Sequence, residues 1–281
     1  MAEKRPLVNY AGSIQELTVG DTLPSAIISP RREVLVAARA YYVATTGSDS
    51  NDGLAAGAPF LTLQKAIDVV AAIDLSIYDV TIQLADGTYG AGCLVKAPWV
   101  GAGTVTVQGN ATTPTSVVLS TGAADVITVQ DSGRLTVKDF KITNTGLFGL
   151  YAQRAGSIIF SGVDVGAIGK QQIRVSDLGV ITASGNYTIS GGADMHYSTA
   201  FSGVIRVQSK TITISGTPAF VSAFANITSL SSAVLNGNTY SGAATGKRYD
   251  ISSNSFCLSG GVATYFPGDV AGTTSTGGLY L

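Results

Sequence analysis

Four glycines, Gly133, Gly156, Gly179 and Gly203, recur at spacings of 23, 23 and 24 residues, and the residues around them fall into matching columns. Two positions after each glycine stand Leu135, Ile158, Ile181 and Ile205, and four after stand Val137, Phe160, Ala183 and Val207. Four before stand Val129, Ala152, Val175 and Thr199, and six before stand Ile127, Leu150, Ile173 and Tyr197. Apolar residues at every second position, on both sides of a glycine, describe two short half-buried strands joined at a bend. One such unit cannot bury its own apolar face, but stacked units can, so the period specifies a solenoid. The expected fold is all-β: a right-handed parallel β-helix, a rigid rod made almost wholly of solvent-facing sheet and loops. The step after Gly203 is longer and reaches Ser232 after 29 residues, with an insert near residues 216–220. Seven or eight rungs, about 4.8 Å apart, make a rod on the order of 35 Å long.

Composition fits this architecture. Charged residues are only 12% of the 281, against about 25% in ordinary globular domains. With 34 glycines and abundant Ser and Thr, the chain has the turn-rich character of all-β proteins. Such a surface suits a secreted or particle-borne protein, or one partly buried in an oligomer. The net charge is -1 and no basic stripe is present, which gives nucleic-acid binding little electrostatic support. No apolar run reaches the roughly 18 residues of a spanning helix, so membrane insertion is not expected. The first nine residues, Met1 to Asn9, lack the apolar core of a signal peptide. Cys93 and Cys257 stand 164 residues apart and are expected as free, partly buried thiols of a protein folded in a reducing cytoplasm; a disulfide is the other reading.

The columns do not extend over the whole chain. Residues 1–40 carry Leu7, Val8, Ile14 and Leu17, then a Gly20-Asp21 pair, the pattern of a short hairpin or extended arm. That piece is too small for a core of its own and is expected to dock onto something else. Residues 41–90 form a strand–loop–helix unit. Leu63, Ala66, Ile67, Val70 and Ile73 follow helical spacing with Thr62 as N-cap. Residues 91–260 hold the rungs. Residues 261–281, rich in glycine and threonine, lack the rung columns and are expected to wrap or cap the C-terminal end.

The order Tyr42-Val43, Gly47, Asp49, Asp52-Gly53, then Pro59-Phe60, Thr62-Leu63-Gln64, Ala66, and finally Val80-Thr81-Ile82, Leu84, Asp86-Gly87 and Tyr89 resembles the opening of pectin-lyase-like β-helix proteins. In that family the helix caps the N-terminal end of the solenoid. The resemblance is specific over residues 41–90 and rests on rung periodicity alone downstream. The whole layout also resembles bacteriophage tail-fibre, tailspike and head-fibre proteins, and the segment from Tyr265-Phe266-Pro267-Gly268 to Gly272 is similar to the C-terminal end of prophage-type β-helix proteins. This resemblance implies a homotrimer on a virion, made in a bacterial cytoplasm. It would be mounted on other virion proteins through residues 1–40, with Leu7, Val8, Ile14 and Leu17 as anchoring residues, and would contact host surface polysaccharide.

Phage β-helix spikes often cleave polysaccharide with two carboxylates about 5–9.5 Å apart. Two positions before the glycines lie Asp131, Arg154, Asp177 and Phe201, which should stack on consecutive rungs. Asp131 and Asp177 would stand roughly 9–10 Å apart with Arg154 between them. An Asp–Arg–Asp ladder is more simply an ion-pair stack, and the arginine lowers both carboxylate pKa values, which disfavours a general acid. His196 is a weak candidate general base; a surface or inter-subunit position at the start of a strand is the expected one. A single histidine provides no His-cluster metal site, and the loop Asp49, Asn51, Asp52, Gly53 lacks the closing Glu of a calcium loop, so an Asx-type turn is expected there. No cofactor is expected. Phe148, Tyr151 and Phe201 fall outside the core columns and are candidates for a surface patch contacting glycan or a neighbouring subunit. The only tryptophan, Trp99, follows Pro98. The leading expectation is an adhesive fibre that binds glycan without cleaving it. A depolymerase (glycoside hydrolase or lyase) with its site in a groove between subunits and a purely structural virion decoration are the alternatives.

Overall fold

The computed structural model describes residues 32–281 together with the backbone of two N-terminal strands, Leu7–Tyr10 and Ser13–Glu16. The chain divides into two units, Met1–Glu33 and Val34–Leu281. In the first, the two strands pair antiparallel, with Tyr10 opposite Ser13, so Leu7, Val8 and Ile14 lie on a hairpin. Leu17 lies outside the described residues.

The second unit is a right-handed parallel β-helix of about eight turns. Each coil contributes a strand to three sheets in turn. Sheet one has ten strands, from Arg39–Val43 to Leu279–Tyr280; sheet two has seven, from Gly87–Tyr89 to Thr239–Ser241; the main path of sheet three has eight, from Cys93–Val95 to Thr273–Thr274. All pairings within these sheets are parallel. The register follows the sequence columns. In sheet one Leu135 pairs with Ile158, Ile158 with Ile181 and Ile181 with Ile205, and the column continues through Ala233 and Cys257 to Tyr280. In sheet three Ile127, Leu150, Ile173 and Tyr197 stack, as do Val129, Ala152, Val175 and Thr199. All eight of these sheet-three residues are fully buried. Cys93 and Cys257 are free and buried, and burial pushes both thiols up to about 12.

The N-terminal end is closed by helix α1, Leu63–Ala71. Thr62 caps it, its hydroxyl accepting from the Lys65 amide, and Leu63, Ala66, Ile67 and Val70 face the first coils. Burying each of the larger three contributes about 1.5–3 kcal/mol, and the helix covers an apolar cross-section that would otherwise meet water. The loop before the helix is a hydrogen-bonded turn. Asp49 accepts from the Leu61 and Thr62 amides and from the Thr62 hydroxyl, while Asp52 accepts from the Leu54 amide. Burial raises the Asp49 pKa, but these bonds and Lys65 outweigh it and hold the carboxyl below its ordinary value.

Two expectations change. Val204 pairs with Ser232, so the counterpart of Gly203 is Ser231, not Ser232. Part of the longer step is absorbed by the nine-residue strand Ala219–Ile227, which bulges between its pairings with Ala193 and Met195. Residues 261–281 also do more than wrap the end. Thr273–Thr274 and Leu279–Tyr280 add strands to sheets three and one. The loop before them places Phe266, 1% exposed, against Phe224, Tyr240 and Tyr249, so this segment both continues the coils and plugs them.

Candidate functional site

The bend between sheets three and one lies in the two residues before each column glycine. Asp131-Ser132, Arg154-Ala155, Asp177-Leu178, Phe201-Ser202, Ser229-Leu230, Ser253-Asn254 and Thr276-Gly277 all have positive φ, between 45° and 76°. The amides of Gly133, Gly156, Gly179, Gly203, Ser255 and Gly278 donate back to the carbonyl three residues earlier, at 2.8–3.2 Å. Two positive-φ residues closed by such a bond have the form of a type I′ turn. The turns stack through their own peptides: Ser132 N donates to Arg154 O, Ala155 N to Asp177 O and Leu178 N to Phe201 O, and the series runs on to Thr276. A ladder of fixed turns therefore runs along one edge of the solenoid.

Asp131, Arg154, Asp177 and Phe201 stand at the tips of this ladder. Arg154 clasps Asp131 with both ends of its fork, Nε to Oδ1 at 2.6 Å and Nη2 to Oδ2 at 3.2 Å. That hydrogen bonding holds the Asp131 carboxyl below its ordinary value and raises the guanidinium. Asp131 is thus an ion-paired acceptor with no proton to donate near neutral pH. Asp177 accepts instead from the Ser176 hydroxyl at 2.7 Å.

His196 occupies a different place from the surface position expected. It is fully buried, ringed by Tyr187, Tyr197, Phe220 and Phe224. Gln172 donates its amide to Gly166 O and Gly191 O, so its oxygen is left to accept from His196 Nδ1 at 2.6 Å. His196 Nε2 then accepts from the Tyr187 hydroxyl at 2.8 Å, and Tyr187 in turn accepts from Tyr197. Burial lowers the imidazole to about 3. This is a neutral, hydrogen-bonded core histidine without access to a substrate. Strict alternation misses it because each coil turns two consecutive residues inward at this corner: Gly149-Leu150, Gln172-Ile173, His196-Tyr197 and Phe224-Ala225.

Two of the three candidate surface aromatics touch each other. Phe148 and Tyr151 meet edge to face at 4.8 Å on sheet three, and the Tyr151 hydroxyl donates to Gln153. Phe201, 61% exposed, stands on the turn ladder beside a surface depression that it shares with Leu178 and Leu230.

A groove of about 390 Å³ lies on the outer face of sheet one, next to the start of the ladder. One wall is the loop following Val95, tied to the coil below by Leu75 N to Val100 O and by Thr104, whose amide and hydroxyl both donate to Asp79 at 2.8 Å. Those two bonds hold the Asp79 carboxyl below its ordinary value. Trp99 is carried on this loop, half-buried, and its indole N–H donates to Arg134 O at 2.5 Å. The floor is formed by outward residues of paired strands, Arg134 opposite Ser157 and Thr136 opposite Ile159. An indole fixed by its N–H, flanked by hydroxyls and a guanidinium, offers a sugar ring a stacking face and polar partners together. Sequence reasoning did not select Trp99; its signal was a lone tryptophan outside every core column. No protein-family model matches this chain, and no curated protein matches it.

Proposed function

We propose that the protein is an adhesive fibre: a rigid β-helix of a phage or phage-like particle that binds host surface polysaccharide without cleaving it. The observation that carries the reading is the Trp99 groove on the outer face of the solenoid. A rod whose coils are locked by stacked turns presents such a groove without reordering on binding, which favours affinity. The fibre would assemble as a homotrimer and be mounted through the N-terminal hairpin bearing Leu7, Val8 and Ile14. The anchor is best tested by deleting residues 1–33 rather than 1–40, because Leu35 is buried and Arg39 begins the first strand of sheet one. Light scattering should return about three times the chain mass of 28.6 kDa.

Replacing Trp99 by alanine should weaken retention on host polysaccharide by about tenfold or more in affinity electrophoresis, since a central aromatic anchor commonly contributes 2 kcal/mol or more. Unchanged retention would remove the groove from the function. The depolymerase alternative makes a separate demand. Oligosaccharide release by the wild type, abolished in Asp131→Asn or Asp177→Asn, would convert the fibre into an enzyme. The clasped state of Asp131 argues against that outcome.

A further inference from the structure

We propose that the ligand of the Trp99 groove is an acidic saccharide whose anionic group is held by Arg134. The inference rests on the glycan-binding reading of the groove and specifies what that glycan carries. Arg134 is the one charged residue among those lining the groove, and it is exposed. Among the described residues its guanidinium has no ion-pair or hydrogen-bond partner. Of the charges nearby, Arg154 is clasped to Asp131 and Asp79 takes both donors of Thr104, while Lys96 on the loop and Lys138 further along the strand do not line the groove.

The platform and the charge are one unit. The Trp99 indole is bonded to the carbonyl of Arg134 itself, so a ring stacked on the indole lies beside the same residue's backbone. A neutral sugar offers the exposed guanidinium only single hydroxyl acceptors, in exchange for water and with little gain. A carboxylate, or a sulfate or phosphate ester, matches the planar fork with two parallel hydrogen bonds. The hydroxyls of Ser132, Thr136 and Ser157 remain for the neutral part of the ring. A single arginine on a chain of net charge -1 does not suit a polyphosphate backbone, which needs many such contacts.

Because Trp99 is the only tryptophan, its emission reports on the groove in the intact protein. The probes are galacturonan, glucuronan and mannuronan, the carboxyl-reduced form of each, and a sulfated galactan. At least one acidic polymer should shift Trp99 emission with about tenfold higher affinity than its neutral counterpart, and this preference should fade with added salt. Arg134→Met should erase the preference while keeping the weaker neutral affinity, and Arg134→Lys should restore part of it. The side chain is exposed, so the variants should melt as the wild type does. Preference for the sulfated polymer over every uronate would assign the anion as an ester. Equal wild-type affinity for acidic and neutral polymers, or an acidic preference surviving in Arg134→Met, overturns the proposal and leaves the glycan reading in place. Silence of Trp99 towards every polymer overturns both.

Discussion

Between pH 6.5 and pH 4.5 the solenoid should lose about 2–3 kcal/mol of stability because of one residue, His196. Above pH 6.5, its ordinary pKa, the imidazole is neutral in both the folded and the unfolded chain, and the core network contributes fully. Below that value the unfolded chain takes up a proton that the folded chain refuses until about pH 3, because burial disfavours the cation. Each pH unit in this window therefore removes about 1.4 kcal/mol. Asp49, Asp79 and Asp131, all held below their ordinary value of 3.8, add their own loss only at lower pH, so the upper part of the window isolates the histidine. Denaturant midpoints at pH 7.0 and 4.5 measure the effect. His196→Gln should be less stable at pH 7.0, having lost ring packing against Tyr197 and Phe224, yet nearly flat across the window. A variant as steep as the wild type would place the titration elsewhere.

His196 also marks where the sequence stopped being legible. Period-two columns revealed the strand faces on either side of each column glycine, the stacked positions from Leu135 to Ile205 and from Ile127 to Tyr197, but not the strands of sheet two, such as Lys141–Asn144 and Thr211–Ile214, which alternate outside those columns. They could not reveal a corner where two neighbours turn inward together, and that corner holds Gln172, His196 and Phe224. The helix over Leu63–Ala71 was legible because its cap and its apolar spacing are local. The Trp99 groove was not, because its parts come from a loop near residue 99 and from strands near 134 and 157, whose neighbourhood depends on the coil rise. The C-terminal strands were hidden for a simpler reason: Thr273–Thr274 and Leu279–Tyr280 are too short to display a period. The glycine signature itself fades after Gly203 because Ser231 and Ser255 occupy its column. There the Ser255 hydroxyl accepts from the Ser231 amide at 3.0 Å, so a small side chain bridges coils that elsewhere approach too closely for one.

That close approach is why Gly156→Ala should cost about 3 kcal/mol, or roughly 6–12 °C in Tm for a chain of this size. Gly156 does not have the positive φ that would make glycine necessary for its backbone; the bend is made by Arg154 and Ala155 before it. What excludes a side chain is the coil below. A Cβ at residue 156 would stand 2.2 Å from Val129 O and 2.6 Å from its carbonyl carbon. That carbonyl cannot easily move aside, because it accepts from the Gln153 amide at 3.0 Å, and Gln153 O accepts from Gly156 N at 2.8 Å to close the turn. Relief by displacement would therefore break rungs of both the sheet and the turn ladder, and would disturb the Arg154–Asp131 pair at its tip. Gly122→Ala is the control: an added Cβ there meets nothing within 4 Å, and its backbone is not in the left-handed region, so the change should stay within about 0.5 kcal/mol. If the two variants melt together, the glycine column is set by something other than coil-to-coil contact. If they separate as expected, the 23-residue spacing records the points where one coil touches the next, and the bends themselves, Gly277 apart, are made by residues with side chains, free to carry charge and apolar surface along the edge of the rod.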